Sequence, residues 1–222
     1  MRRHLFSATT ILLSTALIVP ATAGEIAVSG QIGTPGIGVG VKAEVFPRIG
    51  VRLGYDYLAL ELDDEEFDDV TYDVDADFSA FTLAVDFHPF ANGFNMSAGI
   101  SQGDRGFDLS GMPSSSVEIG DIVLTPTEVG TLIGEAEWAS TAPYLGIGWD
   151  SSITRDARWH FIARAGVLLL DEPDVELRSE GGLLSSDPTV QAEIEQEEQS
   201  LQEDLDDYSL YPVLSLGVAY QF

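Results

Sequence analysis

The sequence predicts an all-β protein: eight antiparallel strands closed into a transmembrane up-and-down β-barrel, with a short acidic helix in the last extracellular loop. Three observations carry this. Apolar residues alternate with small, polar or charged ones over stretches of about 9–11 residues, the length a tilted membrane strand needs. The charged members of those stretches all share the polar face. The connections alternate between short and long, as turns on one side of a membrane and loops on the other would.

The chain opens on a segment that is not part of the barrel. Arg2 and Arg3 form a basic start, Ile11 to Val19 an apolar run, and Ala21-Thr22-Ala23 a cleavage site, so residues 1–23 read as a secretory signal peptide. Its removal takes two of the ten basic residues and no acidic one, which moves the net charge from −27 to about −29. Such an acidic chain excludes nucleic acid as a partner, because phosphates must be neutralised by Lys and Arg. The absence of Cys excludes disulfides, thiolate zinc sites and Cys nucleophiles.

Residues 24–222 then supply the strands. Glu25 to Ile32 is a short first strand, closed by Gly33-Thr34-Pro35-Gly36. Ile37, Val39, Val41 and Val45 alternate with Gly38, Gly40, Lys42 and Glu44. Val51, Leu53, Tyr55 and Tyr57 alternate with Arg52, Gly54 and Asp56. Phe81 to Phe87 alternates with Thr82, Ala84 and Asp86, and Phe94 to Ile100 with Asn95, Ser97 and Gly99. Leu145, Ile147 and Trp149 mark the sixth strand, and Trp159, Phe161, Ala163, Ala165 and Val167 the seventh, opposite His160 and Arg164. Leu214, Leu216, Val218, Tyr220 and Phe222 mark the last. A barrel in water would face the charges outward; a membrane barrel faces them inward. The signal segment, the terminal Phe222 and the aromatics crowding the short-turn side select the membrane.

Long connections are expected over Glu61 to Asp77, Ser110 to Ala142 and Asp171 to Asp207. The third holds the helix, which Asp187 caps and Pro188 opens.

Several stretches resemble known proteins. The run Gly38 to Leu62, with its Val-Phe-Pro-Arg-Ile-Gly-Val-Arg-Leu-Gly-Tyr core, is similar to the second and third strands of opacity-protein-like and outer-membrane-protein-A-like barrels. His88-Pro89-Phe90, Ala142 to Trp149 and Tyr211 to Val218 look like a family of uncharacterised exported proteins of Gram-negative bacteria. The strand ending in Tyr220 and Phe222 resembles the assembly signal of such barrels. The resemblance implies a monomer in the cell outer membrane, with the barrel-assembly machinery, outer-membrane lipid and lipopolysaccharide as partners. It implies little about activity.

The residues themselves give the functional expectations. Lys42, Arg52, Arg105 and Arg164 can face Glu44, Asp56, Asp86 and Glu137 across the interior, and eight strands leave room for little beyond side chains. Lys42, Glu44, Arg52, Asp56, Asp86 and Arg164 are therefore expected to form an internal salt-bridged plug, or to line a narrow channel for small or cationic solutes. A large pore is excluded, because sixteen strands would use roughly 160 residues before any loop. Enzymes of outer-membrane barrels generally need a His near the outer rim, and His88 and His160 both map to the periplasmic side. A structural or interaction surface protein without catalysis and without a cofactor is the leading expectation. Asp63, Asp64, Asp73 and Asp75 are candidate ligands for weakly held Ca²⁺ or Mg²⁺, against the plainer reading of a solvated acidic loop.

Overall fold

The computed structural model describes residues 26–222 apart from 68–69, 91, 121, 152–156 and 207–208; of 62–67, 70–72 and 206 it describes the backbone only. The predicted signal segment 1–23 lies outside the described residues.

Eight strands close a ring. They are β1 (Ile26–Gly33), β2 (Gly36–Phe46), β3 (Ile49–Phe67), β4 (Val70–Phe87), β5 (Phe94–Pro113), β9 (Thr141–Asp150), β10 (Trp159–Leu169) and β12 (Leu210–Gln221), the numbers between them belonging to extracellular strands described below. Each pairs antiparallel with its neighbour, β5 pairs with β9, and β12 returns to β1, with Val28 opposite Tyr220 and Ile32 opposite Leu216. The ring thus closes without an open edge, the condition for crossing a bilayer with strands.

Turn chemistry sets the hairpins. Pro47 and Arg48 join β2 to β3, with Pro fixing its own φ and Arg48 taking φ 70°. Thr34 and Pro35 join β1 to β2, and Gly36 follows at φ 94°. The Thr34 hydroxyl donates to the Pro212 carbonyl at 2.7 Å and accepts from the Leu214 amide at 3.0 Å, tying this turn to β12.

Around the ring the two faces differ as the alternation requires. Leu214, Leu216 and Val218 are more than half exposed, whereas Ser215 is 6% exposed. An outward band of Val, Leu, Ile and Phe with a buried polar interior is the arrangement of a lipid-facing barrel. At the short-turn end, Trp159 meets Tyr220 at 5.1 Å and Tyr220 meets Phe222 at 5.0 Å, while Phe46, Phe87 and Phe90 project outward beside them.

The extracellular side is more structured than the sequence suggests. The stretch Glu61 to Asp77 is not a loop. β3 and β4 continue as a long hairpin through it, with a register shift between Leu62 and Glu65, opposite Tyr72 to Val74. β5 also continues upward and forks. Its lower half pairs with β9, closing the ring, and its upper half, Gly106 to Gly111, pairs with β8 (Gly130–Glu137). β8 pairs in turn with β11 (Asp174–Gly181). A five-stranded wall, β3-β4-β5-β8-β11, therefore stands on one side of the barrel mouth. The second long connection supplies a hairpin, β6 (Val117–Ile119) with β7 (Ile122–Leu124), and a single turn, α1 (Pro126–Val129). The third supplies α2 (Pro188–Asp206), which Asp187 caps by accepting from the Thr189 amide at 2.8 Å.

α2 packs on the wall. Val190 and Ile194 are buried with Ile119, Leu124 and Val129, against Leu132 and Leu177 of the wall's inner face. It also closes the exposed edge of β11: Glu198 accepts from the Leu177 amide at 3.0 Å, and Gln202 contacts the Val175 amide and the Pro173 carbonyl. Edge strands need such cover, because their unpaired amides invite other chains.

Candidate functional site: the barrel interior and its mouth

The lumen is built by parity. In the ring strands the residues facing inward are mostly the polar or small set of the alternation, with Ile162 and Leu168 of β10 as large apolar exceptions, and many are Gly, Ala or Ser, which leaves space for a few long charged side chains. Gly38 is one example: a Cβ there would run into the Asp56 carboxylate.

Of the six residues expected inside, Lys42, Arg52, Asp56, Asp86 and Arg164 lie together. Asp86 is the centre. It accepts from Arg52 Nε at 3.3 Å, from Arg52 Nη2 at 3.4 Å and from the Ser97 hydroxyl at 2.7 Å, with Lys42 Nζ at 3.8 Å. Lys42 donates to Asp150 at 2.8 Å and lies 3.1 Å from His88 Nε2. One level up, Arg164 donates to Gln31 Oε1 and Gln31 Nε2 donates to Asp56, each at 2.5 Å. The Arg52 guanidinium sits 5.9 Å from the Tyr144 ring centre. Glu44 is half-buried at the periplasmic end of β2, below this cluster.

Besides Ser97, three residues of this network are not in the expected set. Asp150 falls on the polar side of the β9 alternation, so the parity that found Asp86 finds it too. Gln31 bridges as a neutral group between Arg164 and Asp56. His88 lies just past β4 and is 2% exposed. Three cations, Lys42, Arg52 and Arg164, stand against three buried carboxylates, Asp56, Asp86 and Asp150, which balances the central lumen among the described residues. Asp86 is 1% exposed and Arg52 5%. Between the two levels, a cavity of about 20 Å³ is lined by Gln31, Arg52, Asp56, Tyr144 and Arg164 among others. That is room for about one water.

Arg105 does not face Glu137. The two lie on opposite faces of the β5–β8 ladder: Glu137 points outward and is exposed, whereas Arg105 points inward and is 5% exposed. Arg105 instead lies 5.2 Å from the Phe78 ring centre and donates to Ser101 Oγ at 2.5 Å and, more loosely, to the Ala139 and Ser140 carbonyls.

Above Arg105 the two faces exchange character. On the wall, Asp73, Asp75 and Asp77 continue the outward parity of Phe81 and Leu83, while Val74, Ala76 and Phe78 continue the inward parity of Ala84 and Asp86. Cross-strand pairing aligns Glu61, Asp75, Asp108, Glu135 and Glu176 in one row over five strands. Like charges directly opposite repel. Burial, then Glu135, Asp75 and Asp77, push the Asp108 carboxyl above its ordinary value, with Arg178 acting the other way. Arg178 relieves the row by bonding Glu135, Glu176 and Glu180.

Asp73 and Asp75 are thus exposed strand residues on this outer face. The side chains of Asp63 and Asp64 lie outside the described residues; their backbone forms the register shift near Asp73. Among the described residues, no group of three or more His, Asp or Glu is placed to hold a metal ion. At the periplasmic end, Ser151 Oγ lies 3.4 Å from His160 Nδ1, but the hydroxyl also accepts from the Phe161 amide at 3.2 Å and so serves the turn.

No protein-family model matches the chain, and no curated protein matches it in sequence. Solved structures do. CarO2 of Acinetobacter baumannii aligns over 90% of this chain and 99% of its own, at 21% identity and a TM-score of 0.61. CarO of Acinetobacter baumannii aligns over 88% and 97%, at 23% identity and the same TM-score. A major outer membrane protein from Thermus thermophilus, at 12% identity and a TM-score of 0.45, is too distant to carry an inference. The fold is that of an outer-membrane β-barrel.

Proposed function

We propose that this barrel is a sealed outer-membrane anchor whose function lies in its extracellular wall, as a structural or interaction surface protein without catalysis. The observation that carries the reading is the closed ion-pair cluster around Asp86, with residues from β2, β3, β4, β5 and β9 meeting across the lumen. A conducting path would have to separate Lys42 from Asp150 and Arg52 from Asp86. Each separation leaves a buried charge unpaired, which costs several kcal/mol. The Ser151–His160 contact sits at the periplasmic turn, where the hydroxyl also accepts from the Phe161 amide, away from the extracellular wall that carries the proposed role.

The acidic outer face is the interaction side. It stands where lipopolysaccharide phosphates would be its neighbours, and like charges there need screening. Ca²⁺ or Mg²⁺ is the screening species this surface would take, weakly and spread over the row through Asp75 and Asp108. Export through the 1–23 signal segment and insertion by the barrel-assembly machinery complete the reading.

Planar-bilayer recording of the purified chain tests it. The expected record for the wild type has no unit conductance steps, with steps appearing on Asp86→Ala. Stable, cation-selective steps in the wild type would replace this reading with that of a narrow channel for small or cationic solutes.

A further inference from the structure

The mouth of the barrel holds a second feature, separate from the plug and from the acidic face. A cavity of about 340 Å³ opens between the inner face of the wall and the tops of β10 and β12. Its walls include Leu58, Ala76, Phe107, Trp138, Leu170 and Tyr211, Asp77 borders it, and Arg105 reaches it from below. The volume lies in the range of small-molecule sites and is about twice that of a cavity that takes benzene.

Two of its lining residues each hold an unsatisfied polar atom. Arg105 Nε and Trp138 Nε1 are buried, and neither has a hydrogen-bond partner. Arg105 is 5% exposed, and its other nitrogens reach only neutral oxygens of Gly103, Ala139, Ser140 and Ser101. Among the described residues it forms no ion pair with a carboxylate. Below it, Lys42 and Arg52 ion-pair directly with Asp86 or Asp150 and Arg164 reaches Asp56 through Gln31, whereas Arg105 has neither a direct nor a bridged carboxylate, and Asp104 acts on it only from a distance. A buried cation with no carboxylate in contact is costly, and so is a buried N–H without an acceptor. The charge deficit is met by one kind of ligand: an anionic oxygen group facing the Arg105 guanidinium where it lines the cavity, carried on an apolar body that fills the space.

We propose that the mouth is a binding site for an amphipathic monocarboxylate, with its carboxylate on Arg105 and its hydrocarbon or aryl body among Leu58, Ala76, Phe107 and Trp138. A carboxylate fits better than a bulkier anionic head because few polar groups converge there, and charge-assisted bonds to Arg are short and strong. The carboxylate could arrive from water or as a free fatty acid from the outer leaflet, since the cavity sits where the apolar outer band gives way to the acidic wall. This site goes beyond the surface role proposed above and stands if that role fails.

The test uses the full barrel in phosphatidylcholine nanodiscs and isothermal titration, with empty discs subtracted. Three probes share one chain length: octanoate, octanol and octylammonium. Octanoate is expected to bind saturably at one site, octanol at least tenfold more weakly, and octylammonium not at all. Arg105→Gln should bring octanoate down to the affinity of octanol. Ala76→Phe fills the cavity while keeping the Arg105 charge and should abolish octanoate binding while the barrel keeps its folded, heat-modifiable migration on gels. If Arg105→Gln does not fold, the probe series and Ala76→Phe decide alone. Discs preloaded with oleate assign the source: competition with octanoate places the ligand in the membrane, and no competition places it in water. Equal binding of octanoate and octanol, or unchanged octanoate affinity in Ala76→Phe, overturns the proposal.

Discussion

The ring and the wall are parts of the same strands, yet they solve opposite problems. Along β4, Leu83 and Val85 face out of the ring and Asp86 faces in, while a few residues earlier Asp73, Asp75 and Asp77 face out and Val74 and Ala76 face in. The backbone does not change; the solvent does. In the bilayer the outside must be apolar, so polar groups are gathered and paired in the lumen. Above it the outside meets water, so the apolar face turns inward, to be covered by α2 and the β6–β7 hairpin. A strand crossing the boundary must reverse the phase of its alternation, and the row Leu58, Phe78 and Arg105 marks where β3, β4 and β5 do so.

Aspartates on one strand give the sharpest contrast. Asp86→Ala leaves Arg52 and Lys42 facing each other in a buried space and should cost about 3–5 kcal/mol, read from urea unfolding in lipid vesicles. Asp75→Ala, exposed on the wall and flanked by like charges, should stay within about 0.5 kcal/mol of the wild type. Equal effects would dissolve the distinction between the two regions.

The outward faces differ in the same way. Leu216→Arg puts a charge on the lipid side of the ring and should cost about 2–4 kcal/mol, with Ser215→Asn as the lumen control. On the wall, Asp75→Arg changes the same face and should be tolerated, because it relieves repulsion with Asp108 and Glu61.

Damage to the wall should remain local. Ile194→Ala removes part of the small core under α2 and should destabilise that region by about 2 kcal/mol. The expected readout is faster proteolysis between residues 170 and 209, with the heat-modifiable migration of the ring unchanged.

The smallest effect is electrostatic. The Asp108 carboxyl titrates above its ordinary value, so its ionised form is disfavoured in the folded wall. Its contribution is neutral below the unfolded value and turns unfavourable as pH rises through the raised one. Glu128, which accepts from Thr125, and Asp187, which caps α2, are held below their ordinary values and lose their contribution only at still lower pH. Between those ranges the wall should resist protease better as pH falls, and Asp108→Asn should flatten that dependence.

The two regions are also unequally legible in the sequence. The ring can be read because its alternation is long, regular and charge-marked, and α2 because Asp187-Pro188 announces it. The wall is misread from the same kind of pattern. Asp73-Val74-Asp75-Ala76-Asp77-Phe78 alternates as cleanly as any ring strand, but Asp is a poor strand former, and its regular spacing suggests a cation loop instead. Its phase is also opposite to that of the ring, so it does not join a template with the apolar face outward. The fork of β5 is out of reach for another reason. Gln102 opposes Thr141 while Gly106 opposes Glu137, and nothing local in β5 indicates a change of partner there. The placement of Glu137 inside the barrel fails with it, since parity across that ladder depends on knowing the partner strand. Unsatisfied atoms such as Arg105 Nε are visible only once side chains are placed.

The reversal of phase along β4 is the most direct thing to measure. The chain has no native Cys, so single-Cys variants from Asp73 to Phe87 report one position each. Labelled with a fluorophore in vesicles containing brominated lipid, odd positions from 81 to 87 should be quenched by lipid. Positions 73, 75 and 77 should be unquenched and open to a membrane-impermeant maleimide, and even positions from 80 to 86 should resist both. Lipid quenching that continues on odd positions up to 73, or that appears on even positions within the ring, would contradict the reversal and the division of the molecule into ring and wall.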